Sequence, residues 1–217
     1  MRAIRENGGQ LRWLAALTCI VSLASLLLQY VILLRGALDT VGPAFATVRF
    51  FSYFTILSNV LVVLVTSTAV ATANAHAARH FTRADVRGAV ALYIGVTGTI
   101  YVTILRHLWQ PQGSQWWADI GLHYATPLSY LAWWALGVRH GALQWRDVLR
   151  WLLFPLAYLL WSLARGAWVH EYPYPFIDVD ALGWALVLRN AAGVLLVFVA
   201  LGAIVVAVDR RLRLRLA

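Results

Sequence analysis

The chain has 217 residues, 61% of them hydrophobic and only 12% charged, with a mean hydropathy of +0.70. Charged residues make up about half the share found in soluble domains, which argues against a soluble fold. All eighteen basic residues are arginines, against nine acidic residues, and the net charge of +9 could signal either nucleic acid or a membrane topology.

In chain order, apolar runs predict helices at 11–34, 50–73, 87–109, 118–138, 147–168 and 183–207. Each is about twenty residues long, the length that carries a helix across the hydrocarbon core of a bilayer. The connections are too short for a separate soluble domain. The expected fold class is therefore all-α: a polytopic membrane protein in which residues 1–217 form a single domain, a bundle of six transmembrane helices. The first run follows Arg2, Arg5 and Arg12 as a signal peptide would. It is longer than a signal core, carries Gln29 and Tyr30 near its end and has no convincing cleavage site, so it counts as a span. Cys19 lies alone within it and can form no internal disulfide.

Thirteen arginines fall at one set of span ends: Arg2, Arg5 and Arg12, then Arg79, Arg83 and Arg87, then Arg139, Arg146 and Arg150, then Arg210, Arg211, Arg213 and Arg215. The other set has Arg35, Arg49, Arg106 and Arg165, with Arg189 just inside the last span. Positive residues stay on the cytoplasmic side, so both termini and the second and fourth connections are expected there. The basic C-terminal tail then reads as an anchor near anionic lipid, and no nucleic-acid partner is implied. Asp85 and Asp147, at the starts of the third and fifth spans, are expected to cap helices at that surface. No pair of Gly/Pro-broken spans recurs in two halves, which counts against an inverted-repeat transporter. Gly95 and Gly98 lack the GxxxG interval and read as close helix packing.

Polar side chains inside lipid are costly and therefore informative, and here they gather near the outer span ends. If the second span begins at residue 50, Thr55 lies about 7 Å deep, at 1.5 Å per residue. His123, four residues past Asp119 in the fourth span, lies at a similar depth from the same side, so the two can meet. Asn59 shares a helical face with Thr55 one turn deeper. Ser, Thr and Asn also serve simply as interhelical hydrogen-bonding groups, and His123 could be a packing residue. Pro127 cannot bond the carbonyl of His123, so a kink is expected where the imidazole projects. Arg106 with His107 ends the third span, and Arg189 begins the sixth. Asp119, Glu171, Asp178 and Asp180 are the carboxylates available to the two arginines. Tyr172-Pro173-Tyr174-Pro175-Phe176 is stiff enough to form an ordered cap over this layer. His76 and His80 form an i,i+4 pair with no matching third ligand, so neither metal nor cofactor is implied.

The segments Phe54-Thr55-Ile56-Leu57-Ser58-Asn59, Leu105-Arg106, His123 with Thr126-Pro127, and Tyr172-Pro173-Tyr174-Pro175-Phe176-Ile177-Asp178 resemble the predicted six-pass membrane protein family of bacteria. That group is similar to the androgen-induced and androgen-dependent TFPI-regulating membrane proteins. The resemblance implies an intramembrane threonine hydrolase of the bacterial inner membrane. It would cleave a lipid ester, such as a fatty acid ester of a hydroxy fatty acid, through Thr55 as nucleophile and His123 as base. Asn59, Arg106, His107, Tyr172, Tyr174, Asp178 and Arg189 are the candidate substrate-binding or oxyanion residues. The implied partners are membrane lipids and the hydrophobic ester itself. The alternative is a non-catalytic protein that binds, senses or transports a lipid or small molecule with the same cluster.

Overall fold

A computed structural model describes residues 2–38, 40–71 and 76–216, without the side chains of 2–10, 76–78 and 214–216. The expected end of the second span at 73, and the side chains of Arg2, Arg5, His76 and Arg215, lie outside the described residues. Among the described residues there is no strand. The helices are α1 (Arg2–Ala37), α2 (Gly42–Phe51), α3 (Phe54–Val70), α4 (His76–Thr82), α5 (Ala84–Thr103), α6 (Ser114–Ile120), α7 (Thr126–Gly137), α8 (Trp145–Trp151), α9 (Leu153–Val169) and α10 (Val179–Leu216), the last interrupted at Gly183, whose φ of 73° and ψ of 161° are not helical.

Four stretches are long and apolar enough to cross a membrane: Leu11–Ala37, Ala84–His107, Trp145–Val169 and Val179–Arg213. A fifth is reached if α2 and α3, bent by 74° at their junction, are taken as one broken span. The expected span at 118–138 is helical, but it is divided by a π turn at Gly121–Ala125 between α6 and α7. Asp119, His123, Thr126 and Ser129 dilute its apolar character.

The central helix is α5, where Val90, Ala91, Leu92, Ile94 and Val96 are all buried. Outer helices turn large apolar residues outward: Ile20 and Leu27 on α1, Leu160 and Trp168 on α9, Leu188 and Leu196 on α10. Exposed apolar surface on this scale is a liability in water and is satisfied by lipid. The chain is thus built as an integral membrane protein. A Cβ added to Gly98 would stand 3.3 Å from Pro127 and 3.4 Å from the His123 carbonyl oxygen, a tight fit, so glycine here lets α5 approach the kinked α6–α7 helix closely. Nothing approaches Gly95 in this way, so the close-packing expectation holds for Gly98 alone.

At the far end from Thr55, Asp209 of α10 accepts hydrogen bonds from the Gly141 and Leu143 amides at 2.9 and 3.0 Å, and pairs with His140 at 3.0 Å. This fixes α10 to the loop between α7 and α8. Asp147 accepts from the Gln144 amide at 2.8 Å, capping α8 from inside its first turn. Asp85 does not cap; it is held by Arg83, whose Nε and terminal amine donate to its two oxygens at 3.0 and 2.8 Å.

The junction of α2 and α3 differs most from the sequence expectation. No proline or glycine interrupts Phe50-Phe51-Ser52-Tyr53-Phe54, yet the helix breaks and Tyr53 is extended, with φ −93° and ψ 129°. Phe50 packs edge-on against Tyr30, whereas Phe54 enters the core among Tyr93, Phe154, Tyr158 and Phe198. The backbone groups freed by the break find side-chain partners: Tyr158 donates to the Ser52 carbonyl at 2.9 Å, and the Thr55 amide donates to the Tyr174 hydroxyl at 3.2 Å.

Candidate active site

The break changes the setting of Thr55. It is the second residue of α3 and not the sixth residue of a continuous span, so its amide is one of the orphan donors at a helix N-terminus, where partial positive charge collects. The Thr55 Oγ1 lies 3.4 Å from His123 Nε2 and 3.2 Å from the Tyr174 hydroxyl.

His123 is the middle residue of the π turn. Pro127 offers no N–H to the His123 carbonyl, and the Thr126 amide reaches back five residues to the Gly121 carbonyl. The expected kink therefore takes the form of a π turn, a feature frequent at functional sites. The His123 Nδ1 stands 3.1 Å from the Asp119 carbonyl oxygen and 3.2 Å from Asp119 Oδ1. Its hydrogen points at the carbonyl, and Oδ1, without an aligned donor, acts on the ring through its charge. Tyr101 donates to the other carboxylate oxygen and stacks on the imidazole with ring centroids 3.9 Å apart. Asp119 is buried, and removing Tyr101 would leave its second oxygen unpaired.

Tyr174 reaches Thr55 from the connection between α9 and α10. That connection is an ordered cap, pinned in several places. Arg165 donates to the Glu171 carbonyl and carboxylate, each at 3.0 Å, and Asn190 donates to the Phe176 carbonyl at 3.0 Å. The ring of Tyr172 fills the space over Gly166, where any Cβ would collide with it. The Tyr174 ring stacks on Phe176 at 5.3 Å.

Donor and acceptor rules give this network one direction. The Thr55 N–H can only donate, so the Tyr174 oxygen accepts from it. A carbonyl can only accept, so His123 Nδ1 carries the hydrogen and Nε2 of the neutral ring is an acceptor. Thr55 must then donate its hydroxyl hydrogen to Nε2 and accept from Tyr174. The 3.4 Å separation is longer than a formed bond, as is common before a substrate is present.

The remaining candidates are dispersed. Asn59 is fully buried, and its amide donates to the Thr55 and Leu122 carbonyls at 2.8 and 3.3 Å while its oxygen accepts from Ser22 at 3.1 Å. With both hydrogens occupied it is a helix-bridging group, which corrects the oxyanion role expected of it. Arg106 is exposed and lines an adjoining polar cavity with Gln110, Gln112 and Trp116, while His107 is exposed. Asp178 accepts from the Ala181 amide at 3.0 Å and so starts α10, and Arg189 is exposed. The expected pairing of Arg106 and Arg189 with nearby carboxylates is not found among the described residues. Glu171 serves Arg49 and Arg165, Asp180 pairs with His170, and Asp119 faces His123. Tyr101 was not foreseen; an uncharged Tyr in an apolar run gives no signal of its own.

Two cavities meet at Thr55, Leu105 and Tyr174. One, of about 200 Å³, runs between α5, α9 and α10 and is lined almost wholly by hydrocarbon. The other, of about 380 Å³, contains His123, Asp119, Gln29 and Gln115. Compared with known protein families, curated proteins and solved structures, the chain matches none.

Proposed function

We propose that the protein is an intramembrane hydrolase that cleaves lipid esters with Thr55 as nucleophile and His123 as general base. The observation that carries this reading is the Thr55 Oγ1 to His123 Nε2 approach of 3.4 Å, with the ring oriented from behind by Asp119. The hydroxyl proton passes to Nε2 as Oγ1 bonds to the ester carbonyl carbon. The carbonyl electron pair moves to oxygen near the N-terminus of α3; the Tyr174 hydroxyl, which points at Oγ1 before reaction, turns its hydrogen to that oxygen as the Oγ1 lone pair is taken up by carbon, while the Thr55 amide stays on the Tyr174 oxygen. Such a donor commonly contributes a few kcal/mol to acyl transfer. Collapse expels the alcohol, which takes the proton from His123. Water then attacks the acyl-threonine, His123 again accepting and returning a proton, and the fatty acid leaves.

The resemblance to the six-pass membrane protein family supports this chemistry, with substrates of the fatty acid–hydroxy fatty acid ester type. We place six spans in the membrane, counting the α2–α3 pair and the helical run 114–137 as one each. Both termini are cytoplasmic, on the strength of the thirteen arginines at that set of ends, so the dyad lies towards the outer leaflet of the bacterial inner membrane. The test is to incubate purified wild type and Thr55→Ala with a panel of lipid esters; equal hydrolysis by both would remove Thr55 as nucleophile. A second reading, a non-catalytic lipid-binding protein, draws on the apolar cavity, which could hold a tail without chemistry. It requires saturable binding with no turnover.

A further inference from the structure

We infer that Thr55 stands at the junction of a two-armed site: the acyl chain of the ester lies in the apolar cavity between α5, α9 and α10, and a polar alcohol portion lies in the cavity that holds His123. This rests on the hydrolase reading and assigns each half of the substrate to a place.

Proton transfer decides which arm is which. When the C–O bond to the alcohol breaks, its oxygen takes the proton held on His123 Nε2, so the alcohol must lie on the His123 side of the reacting carbon. His123 lines only the larger cavity. The acyl chain, on the opposite side of that carbon, is left with the smaller one. In the second half of the reaction the water oxygen bonds to the acyl carbon as Oγ1 leaves, and His123 takes the water's proton and returns it to Oγ1. That water must also come from the His123 side. The larger cavity, about 380 Å³, has room for it once the alcohol has gone, since a water occupies about 30 Å³.

The linings agree with the assignment. In the smaller cavity Val96, Ile100, Leu159, Leu195 and Phe198 present hydrocarbon, and its few hydroxyls are already engaged. Thr97 pairs with Ser58 at 2.9 Å, Tyr158 donates to Ser52, and Tyr174 serves Thr55. No polar substituent on the chain would find a partner there, so the arm takes an unsubstituted fatty acyl group. Its rim includes Leu156 and Leu195, which are partly exposed on the outer surfaces of α9 and α10, so a tail can slide in from the bilayer. The larger cavity is also walled mainly by apolar side chains, Leu33, Phe50, Ile56 and Leu122 among them, but there Gln115 donates to Gln29 at 2.7 Å, and each amide keeps further hydrogen-bonding capacity for an alcohol that carries hydroxyl or carbonyl groups.

The experiment uses the full chain in lipid nanodiscs with two substrate series. Para-nitrophenyl butyrate, octanoate and palmitate vary the acyl arm; 1-palmitoylglycerol and ethyl palmitate vary the alcohol. Ala191→Phe and Leu195→Trp narrow the acyl cavity, and each should lower the palmitate-to-butyrate ratio of kcat/KM about tenfold while moving the glyceryl-to-ethyl ratio less than about twofold. Gln115→Leu should do the reverse. If the α10 variants move only the glyceryl-to-ethyl ratio, or no variant moves the chain-length ratio, the assignment is overturned although hydrolysis stands. A wild type with no Thr55-dependent turnover removes the hydrolase reading and the assignment with it. Independently of any cavity variant, a palmitoyl ester with a diazirine at its tail should label α9 or α10 in the wild type; label on α1 or α6 overturns the assignment.

Discussion

The hydroxyl of Tyr174 lies 3.2 Å from the amide nitrogen of Thr55 and 3.2 Å from its Oγ1, although the two residues are 119 positions apart. One group thus completes the first turn of α3 and orients the candidate nucleophile. Tyr174→Phe removes both contacts while keeping the ring stacked on Phe176. Its kcat is expected to fall about a hundredfold, the usual cost of losing one oxyanion donor, with KM little changed. Turnover within about twofold of wild type would assign Tyr174 to packing alone.

His123 separates chemistry from structure. As a general base it must be neutral, with Nε2 open to the Thr55 proton. His123→Gln can still hydrogen-bond Thr55 but cannot accept and return a proton, so it should be folded and inactive. Near-wild-type turnover by this variant would leave the protein as a lipid binder.

Asp119 acts on the ring in two ways, through its backbone carbonyl at 3.1 Å and its carboxylate at 3.2 Å. Asp119→Asn keeps the first and removes the charge of the second. Activity is expected to fall by about one to two orders of magnitude. That is less than in triads where the carboxylate alone sets the tautomer, because the carbonyl still holds Nδ1–H. Turnover equal to wild type would show that the carboxylate does not influence the ring.

Orientation in the membrane is open to direct labelling. Single cysteines replacing Gln112 and Ala142, in a chain whose Cys19 is changed to Ala, should react with impermeant maleimide from outside and inside the cell respectively. The reverse pattern would put Thr55 and His123 near the cytoplasmic leaflet and change which lipids reach them.

The meeting of Thr55 and His123 was legible in the sequence because polar residues stand out in apolar runs, and groups at equal depth on two spans can touch. Depth counted along the sequence holds only for a continuous helix, and the helix is broken at Ser52 and Tyr53. That break leaves no proline or glycine signature: it is made by Phe50 and Phe54 packing into different clusters, and by hydroxyls from Tyr158 and Tyr174 reached only through tertiary structure. Pro127, by contrast, announced its kink, and only the π form was unforeseen. The arginine pairings failed for a similar reason. Charge alone does not say which of several arginines a carboxylate will meet, and Glu171 was taken by Arg49 and the buried Arg165.

The most direct measurement is rapid-quench mass spectrometry of the purified protein during turnover of a palmitoyl ester. A palmitoyl group should appear on the peptide that carries Thr55, accumulate before the steady state, and be absent from Thr55→Ala, which should show no turnover. Hydrolysis by Thr55→Ala at the wild-type rate would contradict the threonine mechanism outright.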